Sequence, residues 1–175
     1  MDKRPWYVIA GGPCAGKTTL LMAIKECGYQ VIKEAARAII EAELQKGKTL
    51  NDIRGDEFLF QQIVLREKIA TEQKLPKDKI IFFDRGIPDT IAYYKLCGVD
   101  NDIELNKALE GVSYKKIFLL DMIDYVRDNV RTETPEQARY IHTLLEDSYR
   151  NMEFPIIKVP VLPIPERVKF ILDNL

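Results

Sequence analysis

The sequence predicts an α/β fold in which helices cover both faces of a parallel sheet. Short apolar runs alternate along the chain with longer segments whose apolar residues recur at helical spacing. The runs WYVIA, IIFF and IFLL contain no alternating polar residues, which is typical of strands buried on both faces. Ligands of such sheets bind beyond the carboxyl ends of the strands, so the residues that directly follow each strand are the first candidates for a functional site.

The composition is that of an ordinary globular protein. The chain has 175 residues, of which 46% are hydrophobic and 30% charged, so we expect a single domain spanning 1–175. The formal charge of −1 gives no support for a nucleic-acid-binding or membrane-surface protein. No apolar run approaches the roughly 18 residues of a membrane span.

The cysteines indicate the compartment. Cys14, Cys27 and Cys97 are odd in number and have no C-x-x-C spacing, which argues against a disulfide framework or a zinc site. We therefore expect a cytoplasmic protein.

The first elements alternate strand and helix. Trp6–Ala10 is a buried strand. Lys17–Cys27 is a helix with one apolar face, and Gly28 ends this helix. Tyr29–Lys33 is a second short strand, and Glu34–Lys46 is helical.

The middle of the chain continues the alternation. Asp52–Lys74 is predicted as one long helix before Pro76, and Lys79–Phe83 as a strongly apolar strand. Pro88–Cys97 is a helix that Gly98 ends, and a short helix follows at Asp102–Glu110.

The last third completes the sheet. Lys115–Asp121 is a strand, Ile156–Val159 is the last strand, and Pro165–Leu172 is the closing helix. Thr134 has capping-box spacing to a glutamine with proline between them, so a helix should run from there to about Met152.

The stretch GGPCAGKTT follows the first strand and opens the first helix. Its spacing is G-x-x-x-x-G-K-[ST], in the strand–turn–helix context that this motif requires. Glycines let the backbone wrap an anion, and the helix N-terminus adds its positive dipole. Lys17 would neutralise the outer phosphates of a nucleoside triphosphate, and Thr18 would bind Mg²⁺. The predicted nucleotide-binding residues are Gly11, Gly12, Pro13, Cys14, Ala15, Gly16, Lys17, Thr18 and Thr19.

Charged residues follow the second and third strands. Glu34 could deprotonate an acceptor hydroxyl and Arg37 could bind the acceptor, but the two also fit a surface pair at a helix start. Asp84 ends the third strand, where an acid usually holds Mg²⁺ directly or through water, and Arg85 could reach the transferred phosphoryl group. Tyr93 could stack on a base or simply pack.

The fourth strand leads into a polar segment. Arg127 and Arg131 could stabilise charge and exclude water on closing, so 122–135 is a candidate lid, although such composition also suits a charged surface loop. The only histidine, His142, lies mid-helix and far from any strand end in sequence, and it is interpreted as structural.

Several motifs together resemble known families. FFDRGIPDTIAYY resembles the thymidylate-kinase pattern, although Gly86 stands where those kinases carry an aromatic or basic residue. EAAR with the phosphate loop resembles the kinase domain that phosphorylates nicotinamide riboside. Nearly the whole chain resembles small P-loop proteins labelled AAA-domain ATPases, which are similar in fold to nucleoside and nucleotide kinases.

The resemblance implies a P-loop NTPase three-layer sandwich with a parallel five-stranded sheet in the order 2-3-1-4-5. It makes Lys17 and Thr18 the phosphate and Mg²⁺ residues, Asp84 the metal-linked acid and Arg85 the phosphate-binding arginine. Glu34 falls where deoxynucleoside kinases keep their base. It also places Arg127 and Arg131 in the lid.

Three outcomes for the bound phosphate stay open: transfer to a small molecule, hydrolysis that drives motion, or retention as a switch. We favour transfer from ATP or GTP to a nucleoside- or nucleotide-like acceptor, because acids and arginines follow four strands, and we expect a monomer or dimer. The alternative is a regulatory switch or NTPase that acts through a protein or lipid partner. The guanine-reading N-K-x-D is absent, since the nearest match at 106–109 reads NKAL. A ring-forming motor is disfavoured because Arg85, not glutamate, follows Asp84.

Overall fold

The computed structural model describes residues 3–13, 15–122 and 134–175. The strands are β1 (Trp6–Ala10), β2 (Gln30–Ile32), β3 (Ile81–Asp84), β4 (Lys116–Leu120) and β5 (Ile156–Val159). The helices are α1 (Lys17–Glu26), α2 (Ala35–Gln45), α3 (Leu50–Arg54), α4 (Glu57–Lys74), α5 (Asp89–Leu96), α6 (Ile103–Glu110), α7 (Pro135–Arg150) and α8 (Ile164–Asp173).

The strands form one parallel sheet in the order β2-β3-β1-β4-β5, which confirms the predicted order. Alternate residues of each strand point to opposite faces. Tyr7 and Ile9 of β1 pack in a core with residues of α1 and α8, whereas Trp6 and Val8 pack on the other face with Tyr149 of α7. The sheet is therefore the middle of three layers, as predicted.

The strand register brings three strand ends to one edge of the sheet. Ile9 of β1 pairs with Asp84 of β3, and Ile32 of β2 pairs with Phe83. The chain therefore leaves β1, β2 and β3 at about the same level. This alignment carries the phosphate loop and Glu34 to the same edge as Asp84.

The predicted long helix at Asp52–Lys74 was wrong, because this segment is divided between α3 and α4. Thr49 and Asp52 form a capping box that starts α3 upstream of the predicted boundary. Asp56 starts α4, since its side chain accepts a hydrogen bond of 2.9 Å from the amide of Leu59. Gly55 and Asp56 are poor helix-interior residues, so local capping outweighs the continuous apolar pattern.

The ends of the other elements lie within two residues of their predicted positions. The capping box at Thr134 is present, with proline in the first helical turn of α7. Among the helices in the three described ranges, none is long and apolar enough to cross a membrane.

Candidate active site

The phosphate loop joins β1 to α1 along a tightly constrained path. Gly11 and Gly16 have φ values of 142° and 79°, which side chains rarely tolerate. Gly16 is the N-cap of α1, so the amides at the start of that helix face the loop. Both glycines are thus required by the backbone, and the loop presents a helix N-terminus suited to an anion. Cys14 lies outside the described residues.

Lys17 lies inside the loop. Its Nζ donates hydrogen bonds of 2.8 Å to the carbonyl oxygens of Gly11 and Gly12. Burial lowers the pKa of Lys17 to about 8, and the nearby charge of Arg85 adds to this effect, while Asp84 opposes it. Lys17 is still mainly protonated at neutral pH, so the loop contains a positive charge that faces its own backbone carbonyls.

Two side chains from the last helices also contact the loop. The Nδ1 atom of His142, on α7, accepts a hydrogen bond of 3.2 Å from the amide of Gly12. Arg167, on α8, has no exposed surface and donates a hydrogen bond of 2.9 Å from Nη1 to the carbonyl of Ala15. His142, which the sequence analysis interpreted as structural, thus contacts the phosphate loop although it lies far from any strand end in sequence. No local motif signalled either contact, because each joins residues more than 120 positions apart.

Arg85 joins two acids beyond the end of β3. Its Nε donates a 2.9 Å hydrogen bond to Glu34, and its Nη1 lies 3.3 Å from Oδ1 of Asp89. Its backbone φ is 68°, in the left-handed region that non-glycine residues rarely adopt. Only 8% of its side chain is exposed, so the guanidinium is a buried charge held by two ion pairs.

The acids around this cation have shifted pKa values. Burial alone would raise the pKa of Glu34, but the charges of Arg85 and Lys17 outweigh it and hold that pKa below its usual range. Burial raises the pKa of Asp84 to about 6, and the Glu34 charge adds to the shift. Glu34 is therefore ionised at neutral pH, whereas Asp84 takes up a proton at mildly acidic pH.

A buried polar network holds the turn formed by Arg85 and Gly86 after β3. Asp89 accepts a 2.9 Å hydrogen bond from the amide of Gly86 and another from the hydroxyl of Tyr149. The ammonium of Lys68, on α4, donates a 2.8 Å hydrogen bond to the carbonyl of Gly86. Asp89 and Tyr149 have essentially no exposed surface, so this turn is firmly fixed. The sequence predicted none of these supporting roles.

The structure explains why glycine stands at position 86. A Cβ built there would lie 2.9 Å from the ring of Tyr114, closer than packed atoms approach. The hydroxyl of Tyr114 also accepts a 3.1 Å hydrogen bond from the amide of Ile87. Tyr114 therefore occupies the space that a larger residue at position 86 would need.

A cavity of about 610 Å³ opens beside the phosphate loop, between α1 and α2. Thr18, Glu34, Arg37 and Asp84 line it, together with apolar residues of α1, β2 and α2. Tyr93 has a different setting, because its ring faces the Arg85 guanidinium at 5.4 Å. Tyr93 thus packs against the site's buried arginine.

The donors present fit a magnesium ion. Oδ1 of Asp84 is buried and has no hydrogen-bond partner within the described part of the chain. Thr18 lines the same cavity and offers a hydroxyl. Within the described ranges no group of three or more His, Cys, Asp or Glu could hold a metal. This sparse oxygen set suits Mg²⁺, which keeps several waters and shares its ligands with phosphates.

The structure thus brings Lys17, Glu34, Asp84 and Arg85 together at one edge of the sheet. Arg37 shares the cavity with Glu34. Arg127 and Arg131 lie outside the described residues, as does most of the candidate lid, 123–133. Their assignment stays a prediction from the sequence.

A model of the AAA domain family matches residues 6–167 of the chain. No curated protein sequence matches significantly. Among solved structures, deoxyadenosine kinase from M. mycoides with bound dCMP superposes with a TM-score of 0.65 at 18% identity, and the alignment covers 97% of each chain. Thymidylate kinase from Ehrlichia chaffeensis gives 0.67 at 14% identity, again with 97% of each chain covered.

The NadR protein in complex with NR is similar over part of its length. It gives a TM-score of 0.69 at 16% identity, over 98% of this chain and 50% of the NadR chain. This chain therefore spans half of that protein. At these identities the three structures show a common fold, that of the P-loop nucleoside and nucleotide kinases.

Proposed function

Since this chain belongs to the AAA domain family and has the fold of P-loop kinases, we propose that it is a small-molecule phosphotransferase. It would transfer the γ-phosphate of ATP or GTP to a nucleoside- or nucleotide-like acceptor. The observation that carries the proposal is the ion pair between Glu34 and the buried Arg85, beside Lys17. Binding a nucleotide alone requires the loop but not this second charged group.

Different residues of the chain have different roles in the proposed reaction. The loop amides and Lys17 bind the outer phosphates and neutralise charge as it develops. Glu34 and Asp89 hold the Arg85 guanidinium, which would contact the transferred phosphoryl group. The acceptor hydroxyl oxygen forms a new bond to the γ-phosphorus. The bond between the γ-phosphorus and the β,γ-bridging oxygen breaks, and a nucleoside diphosphate leaves.

Glu34 is the candidate for orienting the acceptor. Its ionised carboxylate can accept a hydrogen bond from the acceptor hydroxyl and take its proton late, once that oxygen has bonded to phosphorus. The low pKa of Glu34 suits such a late transfer, because phosphoryl transfer proceeds through a loose transition state that needs little early deprotonation.

Mg²⁺ is proposed as the cofactor, held through Thr18 and Asp84. When bound, it would neutralise charge on the outer phosphates. The buried, unpartnered Oδ1 of Asp84 supports this assignment for the described part of the chain.

The cavity beside the loop is proposed to admit the acceptor. Arg37 and Glu34 supply polar groups at its wall, and Leu21, Val31 and Ala38 supply apolar surface. A few convergent polar groups on an apolar lining are typical of small-molecule sites. The neighbouring structures hold dCMP and NR, so nucleosides, nicotinamide riboside and nucleoside monophosphates are the first acceptors to test.

The deciding experiment is an acceptor screen with ATP and GTP that measures both nucleoside diphosphate release and the phosphorylated acceptor. We expect release to depend on an acceptor. Glu34→Gln keeps a side-chain oxygen for Arg85 but removes the base, so we expect turnover to fall about 100-fold with nearly unchanged ATP affinity.

Glu41→Gln is the matched control, because Glu41 lines the same cavity from α2 but has no contact with Arg85 among the described side chains. Slow hydrolysis that no acceptor stimulates would contradict the proposal. Binding of a protein or lipid only in the triphosphate state would favour the switch alternative.

A further inference from the structure

One peptide group of the phosphate loop is held from both sides. The carbonyl between Gly11 and Gly12 accepts the 2.8 Å hydrogen bond from Lys17. The amide of that same peptide group, on Gly12, donates the 3.2 Å hydrogen bond to Nδ1 of His142. In a trans peptide these two groups point in opposite directions, so Lys17 and His142 hold the plane from opposite sides.

Helix α7 packs closely enough to make this contact specific. A Cβ built on Gly12 would lie 3.1 Å from Cβ of His142 and 3.2 Å from the carbonyl oxygen of Ala138. A larger residue at position 12 would push α7 away. The glycine therefore lets the backbone of the loop approach the helix and reach the imidazole.

The contact requires a neutral imidazole. Nδ1 can accept a hydrogen bond only when it carries no proton, which places the ring proton on Nε2. Burial lowers the pKa of His142. Glu146 on the same helix and Asp121 after β4 oppose this shift, while Lys158 on β5 and Lys17 in the loop add to it.

We propose that neutral His142 is a positioning residue for phosphate binding. By fixing the Gly11–Gly12 peptide it prevents a peptide flip that would remove the carbonyl from Lys17, and protonation of its ring releases the peptide. The inference rests on the proposed function in one respect, namely that the loop binds the phosphates of a nucleoside triphosphate. It adds a residue from a helix that the loop motif does not include.

The test compares His142→Asn with His142→Ala by calorimetric titration with Mg²⁺-ATP. The asparagine Oδ1 occupies the place of Nδ1 as an acceptor but does not titrate. At about pH 8 we expect His142→Ala to weaken binding about three- to tenfold, as for one lost hydrogen bond, and His142→Asn to bind within about twofold of the wild type.

The pH series separates positioning from packing. In the acidic range below the ordinary histidine pKa, wild-type affinity should drop relative to that of His142→Asn. Protonation of ATP affects both proteins equally, so the ratio of their dissociation constants is the readout. Thr143→Ala, on the adjacent exposed position of α7, controls for disturbance of the helix and should bind like the wild type.

A second readout needs no nucleotide. Nitrogen NMR of the free protein should show an unprotonated Nδ1 in His142 at about pH 8, and the amide of Gly12 should exchange faster in His142→Ala. An Nδ1–H tautomer, an unchanged Gly12 exchange rate, or equal pH dependence in wild type and His142→Asn would overturn the inference. Absence of nucleotide binding by the wild type at every pH would instead overturn the proposed function.

Discussion

At the scale of single residues, the site depends on side chains whose roles are set by burial. Glu72 of α4 is 8% exposed and accepts a hydrogen bond from the hydroxyl of Tyr114. Burial raises the pKa of Glu72 to about 7, although Tyr114 and the charge of Lys68 oppose the shift. This carboxyl therefore takes up a proton on folding at mildly acidic pH.

The pKa of Glu72 predicts a pH dependence of stability. Its folded-state pKa lies above the ordinary value of 4.5, so the folded state binds more protons between about pH 4.5 and pH 7. The contribution of this group is therefore most favourable at low pH and is lost as pH rises through 7. We expect Glu72→Gln to be about 1 to 3 kcal/mol more stable than the wild type at pH 8 and about equal at pH 4.5.

Denaturant unfolding of both proteins across this pH range measures the effect. Glu67→Gln, an exposed position on the same helix, should follow the wild-type curve. A constant difference between Glu72→Gln and the wild type at all pH values would show that Glu72 does not titrate in this range.

At the scale of elements, strands were easier to predict than helix ends. Ile156–Val159 matches β5 residue for residue, because a short run that is apolar except for Lys158 and is bounded by prolines leaves little choice. Asp52–Lys74 was predicted as one helix because apolar residues continue across Gly55, but the chain forms α3 and α4 instead. Apolar periodicity predicts which face of a helix is buried. Where a helix starts is decided by single capping residues, here Gly55 at the end of α3 and Asp56 at the start of α4.

The cap of α4 can be tested directly. Asp56→Ala removes the acceptor for the Leu59 amide, so we expect a loss of about 1 kcal/mol in the free energy of unfolding. Asp56→Asn keeps an acceptor and should retain most of the stability. Equal stability of Asp56→Ala and the wild type in urea unfolding would mean that the break between α3 and α4 does not depend on this cap.

At the scale of the whole molecule, the last helix, α8, contacts the phosphate loop near the start of the chain. Arg167 of α8 donates hydrogen bonds to Ala15 in the loop and, at 3.0 Å, to the carbonyl of Pro160. In the same layer, Val168 and Ile171 pack in the core with Leu20 and Ile24 of α1. The last helix therefore supports the first helix and the loop that precedes it.

Arg167→Met tests this long-range support. It leaves two carbonyls without their donor, so we expect a loss of about 1 to 3 kcal/mol in stability. We also expect a smaller rise in melting temperature on adding Mg²⁺-ATP, because a less ordered loop binds more weakly. Lys169→Met, on the exposed side of α8, is the control. An unchanged nucleotide-induced shift in Arg167→Met would limit Arg167 to a packing role.

The sequence by itself determined the architecture and the core of the site. A continuous apolar strand before GGPCAGKTT and a helix after it leave that loop one geometry, since glycines and a helix N-terminus act locally. Asp84 and Arg85 were predicted for the same reason, because parallel strands end at one edge and their next residues meet there.

Only the tertiary structure decided what holds these residues in place. The pairing of Glu34 with Arg85, the contact of His142 with Gly12 and the support of Ala15 by Arg167 each join distant parts of the chain. Burial acts on both carboxyl groups, but the charges of Arg85 and Lys17 lower the pKa of Glu34, whereas burial and the Glu34 charge raise that of Asp84. Such effects depend on which side chains share a low-dielectric space, and helix and strand periodicity carries no record of that.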